Sequence, residues 1–168
     1  LLLVVSVFLN VYFGLMINAK GDPYVLEINC RFGDPEAQVI LPRMQSDFAT
    51  LCYKACEGEL PHQPVAWDQR TAVAVVMASE GYPLKYPKGE KIQGLDTALP
   101  KSCCIYHANT AYTAGHFVTN GGRVLCVVAL GHDSEVARAS VYRIVNNIHW
   151  EHCFYRNDIG WQSFFHKL

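Results

Sequence analysis

Two apolar runs, residues 11–17 and 24–29, flank the polar stretch Asn18-Ala19-Lys20-Gly21-Asp22-Pro23. Apolar runs joined by a short stretch bearing Gly, Asp and Pro predict an antiparallel hairpin. Side chains alternate across a strand, so Glu27, Asn29 and Arg31 are expected on one side and Ile28, Cys30 and Phe32 on the other. A carboxylate, an amide oxygen and a guanidinium on one face suit a divalent cation together with a polyphosphate. Mg²⁺ takes oxygen ligands, commonly one or two carboxylates plus substrate phosphates, and the Arg fork matches phosphate oxygens. The commonplace alternative is a half-buried strand whose polar face meets water. The following Gly33-Asp34-Pro35-Glu36 favours a site. Gly33 permits an unusual backbone angle, and Pro35 can open a helix. Asp34 would be its N-cap and Glu36 would lie in its first turn.

The chain has 168 residues, enough for one domain or a small domain with part of another. It is 51% hydrophobic and 17% charged, which supports a packed core and argues against wholesale disorder. A net charge of −1 without a basic block argues against nucleic acid as a partner. Seven cysteines, an odd number with no secretory cleavage pattern, point to a reducing cytoplasm. Cys52 and Cys56 lie four apart on one helix face, and are expected as small buried hydrophobes rather than a metal clip. Residues 1–17 are apolar, near the lower length limit of a membrane span. They lack flanking positive charge on the N-terminal side and are broken by Asn10 and Gly14. A buried strand over 11–17 is the preferred reading over an anchor.

Further along, residues 35–43 read as a short helix bent near Pro42. Ser46-Asp47 starts a second helix that Gly58 stops, with Phe48, Leu51, Cys52 and Ala55 as its apolar stripe. Residues 61–69 read as a linker. Strands are expected over 71–78, 104–108 and 117–119. Asn120-Gly121-Gly122 signals a hairpin returning along 123–130. Asp133-Ser134-Glu135 opens a helix whose Ala137, Val141, Ile144, Val145 and Ile148 follow helical spacing. His149 and His152 stand three apart, but lack a complete set of zinc ligands. The pattern is α+β with antiparallel hairpins.

Glu27-x-Asn29-x-Arg31 resembles the last metal-binding strand of ATP-grasp ligases. The longer string Asn29-Cys30-Arg31-Phe32-Gly33-Asp34-Pro35-Glu36 is similar to the glycinamide ribonucleotide synthetase (phosphoribosylamine–glycine ligase) family. Four further segments carry the resemblance: Val76-Met77-Ala78-Ser79 with Gly81-Tyr82-Pro83; Thr119-Asn120-Gly121-Gly122-Arg123-Val124-Leu125; His149-Trp150; and Asp158-Ile159-Gly160-Trp161. It implies that residues 1–60 are the C-terminal end of an ATP-grasp domain, with residues 1–10 atypical. Residues 61–69 would be a linker, and 70–168 the family's small mixed α/β C-terminal domain. Where that family reads His-Ala-Gly-Thr, this chain has His107-Ala108-Asn109-Thr110.

The resemblance implies ATP-dependent joining of glycine to 5-phosphoribosylamine through a glycyl phosphate, a step of purine biosynthesis. Glu27 and Asn29 would hold Mg²⁺ or Mn²⁺. Arg31 would contact the transferring phosphate, and Gly33, Asp34 and Pro35 would line the glycine and phosphoribosylamine site. ATP-grasp ligases also need upstream lysines, a glycine-rich phosphate loop and an adenine pocket. The residues ahead of Glu27 carry none of these. The implied partner is the missing N-terminal part of the same enzyme, without which the chain would not turn over. Competing readings are another ATP-grasp carboxylate–amine ligase and a non-catalytic domain docked to a membrane through residues 1–17.

Overall fold

The structure is a computed structural model and describes residues 3–6, 11–60 and 64–161. The chain forms two compact units, Leu1–Ala37 and Gln38–Leu168. In the first, β1 (Leu3–Ser6), β2 (Val11–Ile17) and β3 (Pro23–Asn29) make an antiparallel sheet in that order. The hairpin expected from residues 18–23 is present. Asn18 Oδ1 accepts from the backbone N–H of Lys20 (2.8 Å) and of Asp22 (2.9 Å), a side chain standing in for a backbone turn. The strand β1 had no signal in the sequence. β3 is an edge strand, and its Val25, Leu26 and Ile28 are 56–63% exposed.

After β3, α1 (Glu36–Ile40) runs into a 3₁₀ turn, Leu41–Arg43, that contains Pro42. The helix α2 (Phe48–Glu57) has the caps its sequence announces. Asp47 accepts from Thr50 N–H at 2.6 Å, and Gly58 closes the helix at φ 73°. Its apolar stripe meets no core: no α2 residue is buried, and Cys52 and Cys56 are exposed rather than buried as expected. Residues 64–69 lie along residues 43–46. Gln45 N–H donates to Ala66 C=O (2.9 Å), Asp68 N–H to Arg43 C=O (2.6 Å) and Ala66 N–H to Ser46 Oγ (2.9 Å).

The core of the second unit is an antiparallel sheet in the order β5-β8-β4-β9. Its strands are β4 (Thr71–Ser79), β5 (Cys103–His107), β8 (Arg123–Gly131) and β9 (Cys153–Phe154). The helix α3 (Ser134–Val145) packs on β8 and β4 through Ala137, Val141, Ile144 and Val145. Its apolar spacing was expected to continue to Ile148, yet the helix ends at Val145. Ile148 is still buried, carried on a turn in which its N–H donates to Val145 C=O.

Asn120-Gly121-Gly122 is not a hairpin turn. β7 (His116–Thr119) pairs with β6 (Thr110–Thr113), whereas β8 pairs with β4 and β5. Neither Gly121 nor Gly122 has positive φ. They are small because neighbours press on the backbone: a Cβ would sit 2.5 Å from the Asn109 Cβ at Gly121, and 2.1 Å from the Tyr82 ring at Gly122. Ser79 N–H reaches Gly122 C=O at 2.8 Å. Asn109 has an ordinary φ and donates from Nδ2 to Arg123 C=O at 2.9 Å, so Asn needs no backbone strain there. Among the described residues no helix is long and apolar enough to cross a membrane, and residues 3–6 and 11–17 are strands.

Candidate metal and substrate site

Glu27 and Asn29 share a face of β3. Glu27 pairs with Gly14, Ile28 with Phe13 and Asn29 with Tyr12, an unbroken register that keeps the side-chain period of two. The register shifts just before, between Gly14 and Leu15. Such irregularities re-aim the side chains beside them.

Gly14 is part of the arrangement. A Cβ there would lie 3.0 Å from Glu27 Cγ, so the glycine leaves the room that the glutamate stem occupies. Glu27 is exposed and Asn29 is half-buried. Asn29 Nδ2 is buried and meets no hydrogen-bond partner among the described residues.

Arg31 is placed differently from its expectation. The strand stops at Asn29 and the chain bends at Cys30 and Arg31, so strand alternation does not extend to Arg31. Its side chain is exposed, and Nη1 donates to Phe32 C=O at 2.6 Å.

Gly33 is buried, and its C=O accepts from Ala37 N–H at 3.0 Å, opening α1. A Cβ on Gly33 would lie 2.2 Å from Glu36 Oε2, so the Glu36 carboxylate is folded back over the glycine. That oxygen is buried and without a partner among the described residues. Asp34 is exposed, and the Asp34–Pro35 peptide is cis. Glu36 lay in the string read from the sequence but was not singled out as a site residue. Only the fold shows its oxygen turned inward, and no local pattern announces that.

The donor set fits a hard divalent cation on one observation: a carboxylate and an amide lie on one strand face. Glu27 and the Asn29 carbonyl oxygen would hold it, as oxygen ligands suit Mg²⁺.

Comparison with known proteins identifies the family. The family model described as "Phosphoribosylglycinamide synthetase, C domain" matches residues 72–162, more than half of the chain. The chain belongs to this family. It is 48% identical over 153 residues to the phosphoribosylamine–glycine ligase of Escherichia coli K12, covering 90% of this chain and 36% of that protein. To the Haemophilus influenzae enzyme of the same name it is 46% identical over 152 residues. The chain thus spans about a third of the length of the curated relatives it matches.

The crystal structure of phosphoribosylamine–glycine ligase from Thermotoga maritima superposes with a TM-score of 0.71 at 38% identity. The match covers 88% of this chain and 36% of that one. The biotin carboxylase domain of the Hydrogenobacter thermophilus 2-oxoglutarate carboxylase, solved with MgADP and bicarbonate, has a TM-score of 0.61 at 14% identity and shares the fold alone. Both neighbours bear out the α+β architecture with an ATP-grasp end.

Proposed function

We propose that this chain supplies the metal strand and the C-terminal domain of a cytoplasmic phosphoribosylamine–glycine ligase. The observation that carries the reading is the shared face of Glu27 and Asn29 in unbroken register, joined directly to the Gly33-Asp34-Pro35 loop. In the reaction the γ-phosphoryl group of ATP passes to the glycine carboxylate and ADP leaves. The amine of 5-phosphoribosylamine then attacks the acyl carbon, and phosphate departs.

Glu27 and Asn29 would hold Mg²⁺ or Mn²⁺, which would supply positive charge against the nucleotide phosphates. Arg31, exposed and on a bend, is free to swing its guanidinium from Phe32 C=O to the transferring phosphoryl oxygens. Gly33, Asp34 and Pro35 would line the glycine and phosphoribosylamine site. The buried Glu36 oxygen against Gly33 supports a built loop rather than a loose one. In this reading residues 1–60 end an ATP-grasp domain, 61–69 link and 70–168 form the C-terminal domain. The remaining two-thirds of the enzyme would cover the exposed apolar side chains of β3 and α2 and bring the nucleotide pocket.

The test is a chimera in which this chain replaces the matching segment of the E. coli relative. It is expected to hydrolyse ATP only with glycine and phosphoribosylamine present, while residues 1–168 alone do not. Glu27→Ala and Asn29→Ala in the chimera should each lower kcat/KM by about 10²-fold, a loss typical of one electrostatic contact to a developing charge, and raise the Mg²⁺ requirement. A chimera whose Mg²⁺ dependence is unchanged by both substitutions overturns the ligand assignment.

A further inference from the structure

The two histidines near the end of α3 do not come together as a pair. The fold instead takes His152 to Glu90, sixty-two residues away. His152 Nδ1 contacts Glu90 Oε1, and His152 N–H donates to Glu90 Oε2 at 3.2 Å. The backbone fixes both partners. Glu80 N–H donates to His152 C=O at 2.7 Å, and Gln93 N–H to His149 C=O at 2.8 Å, so the 80–94 excursion is strapped to the segment after α3. Glu151 joins them: one ligand atom from each of Glu90, Glu151 and His152 lies within 4.8 Å of the other two.

Two carboxylates and an imidazole form a mixed oxygen–nitrogen donor set. Cation-to-ligand bonds of about 2.0–2.2 Å place neighbouring ligands about 3–4 Å apart, so small side-chain rotations close this cluster around an ion. A second feature points the same way. A cavity of about 320 Å³ is lined by Glu90, Lys91, Gln93, His149, Trp150 and Glu151. Trp150 is 1% exposed, and its Nε1–H has no acceptor among the described residues. A buried indole N–H ordinarily finds one, and a water or anion completing a coordination sphere is an acceptor of that kind.

The carboxylates of Glu90 and Glu151 make the surroundings of His152 acidic. Lys91 is the one ammonium lining the cavity.

We propose that Glu90, Glu151 and His152 bind a first-row divalent cation of the Zn²⁺ class, at a site independent of Glu27 and Asn29. The presence of imidazole separates the two sites, since nitrogen favours Zn²⁺-like ions whereas an all-oxygen set suits Mg²⁺. Such an ion would cross-link the 80–94 excursion to the segment after α3, adding binding free energy to the fold.

The test uses residues 1–168 titrated with Co²⁺, a coloured stand-in for Zn²⁺, in excess Mg²⁺. One equivalent is expected to bind with weak visible bands, no thiolate charge-transfer band, and displacement by Zn²⁺. Glu151 is exposed and its side chain carries no hydrogen bond among the described residues, so Glu151→Gln leaves the fold intact. That variant and His152→Ala are each expected to weaken binding by roughly tenfold or more, at least the loss seen for outer-shell partners. Glu27→Ala should bind as the parent does, which separates this site from the nucleotide-metal reading. No uptake, uptake unchanged in Glu151→Gln and His152→Ala, or a thiolate band tracing the ion to the exposed cysteines would each overturn the proposal.

Discussion

β3 and β8 are both rich in apolar residues, and the fold treats them in opposite ways. In β8 every residue from Val124 to Ala129 is 2% exposed or less. In β3, Val25, Leu26 and Ile28 are more than half exposed. The difference is one of neighbours. β8 is hydrogen-bonded on both sides, to β4 and β5, and α3 packs on it. Among the described residues β3 is bonded on one side only, by β2. Strand composition therefore does not decide burial here; the layers around a strand do. The exposed strand is the one that carries Glu27 and Asn29, and the closed sheet is the part that holds a core of its own.

The sharpest way to break this contrast is to truncate the same residue type in both strands. Leu125→Ala in β8 should destabilise the Gln38–Leu168 unit by about 2–5 kcal/mol, because the removed methyl groups leave a cavity in a closed core. Leu26→Ala in β3 should cost less than about 0.5 kcal/mol, as for other exposed positions. Urea unfolding followed by the emission of buried Trp150 reads the first, and circular dichroism reads both. Equal losses would mean that β3 is covered in solution by something the chain itself provides.

A smaller effect separates the helices in the same manner. Both α2 and α3 start at an Asp N-cap, Asp47 bonding Thr50 N–H and Asp133 bonding Val136 N–H. An N-cap removed to Ala costs about 1 kcal/mol. In α2, where no residue is buried, Asp47→Ala is expected to speed amide exchange of that helix about fivefold, the equivalent of that cap, without moving global unfolding. In α3, held by four buried side chains, Asp133→Ala should instead lower the global unfolding free energy. An α2 that exchanges as slowly as α3 before and after the change would contradict its exposed placement.

How much of this was readable from the residues follows the same division. Local signals came through. The Asn18–Pro23 turn, the Asp47 and Gly58 caps and the common face of Glu27 and Asn29 are each set within a few residues of chain. What the sequence did not disclose depends on contacts across it. The Asn120-Gly121-Gly122 string has the composition of a hairpin turn, but its glycines answer to Asn109 and Tyr82 pressing on the backbone. Strand alternation put Arg31 beside Asn29, but the strand ends before it. The stripe of α2 has the right spacing, but spacing shows which face is apolar and not whether anything covers it. Glu90 and His152 meet across sixty-two residues with no shared motif. Glu36 was visible as a first-turn acid, but its oxygen turned toward Gly33 was not.

The finest expected effect lies where residues 43–46 meet 66–68. The guanidinium of Arg70 bonds the Asp68 carboxylate at 2.6, 3.0 and 3.1 Å, the Arg70 backbone N–H bonds it at 2.9 Å, and Arg43 adds positive charge. Together they hold that carboxyl down at about 2, against an ordinary 3.8. A folded value below the unfolded one means the charged form favours the fold. The contribution is complete above pH 3.8 and disappears as the pH falls toward 2. Arg70 is exposed and Asp68 only half-buried, so the effect of the pair is small and weakened by salt. Asp68→Asn removes the titrating group. The thermal midpoint of the parent should exceed that of Asp68→Asn at pH 5, and the two should converge between pH 4 and 2. Curves that stay parallel through that window would show that this carboxylate does not help hold residues 66–68 against residues 43–46.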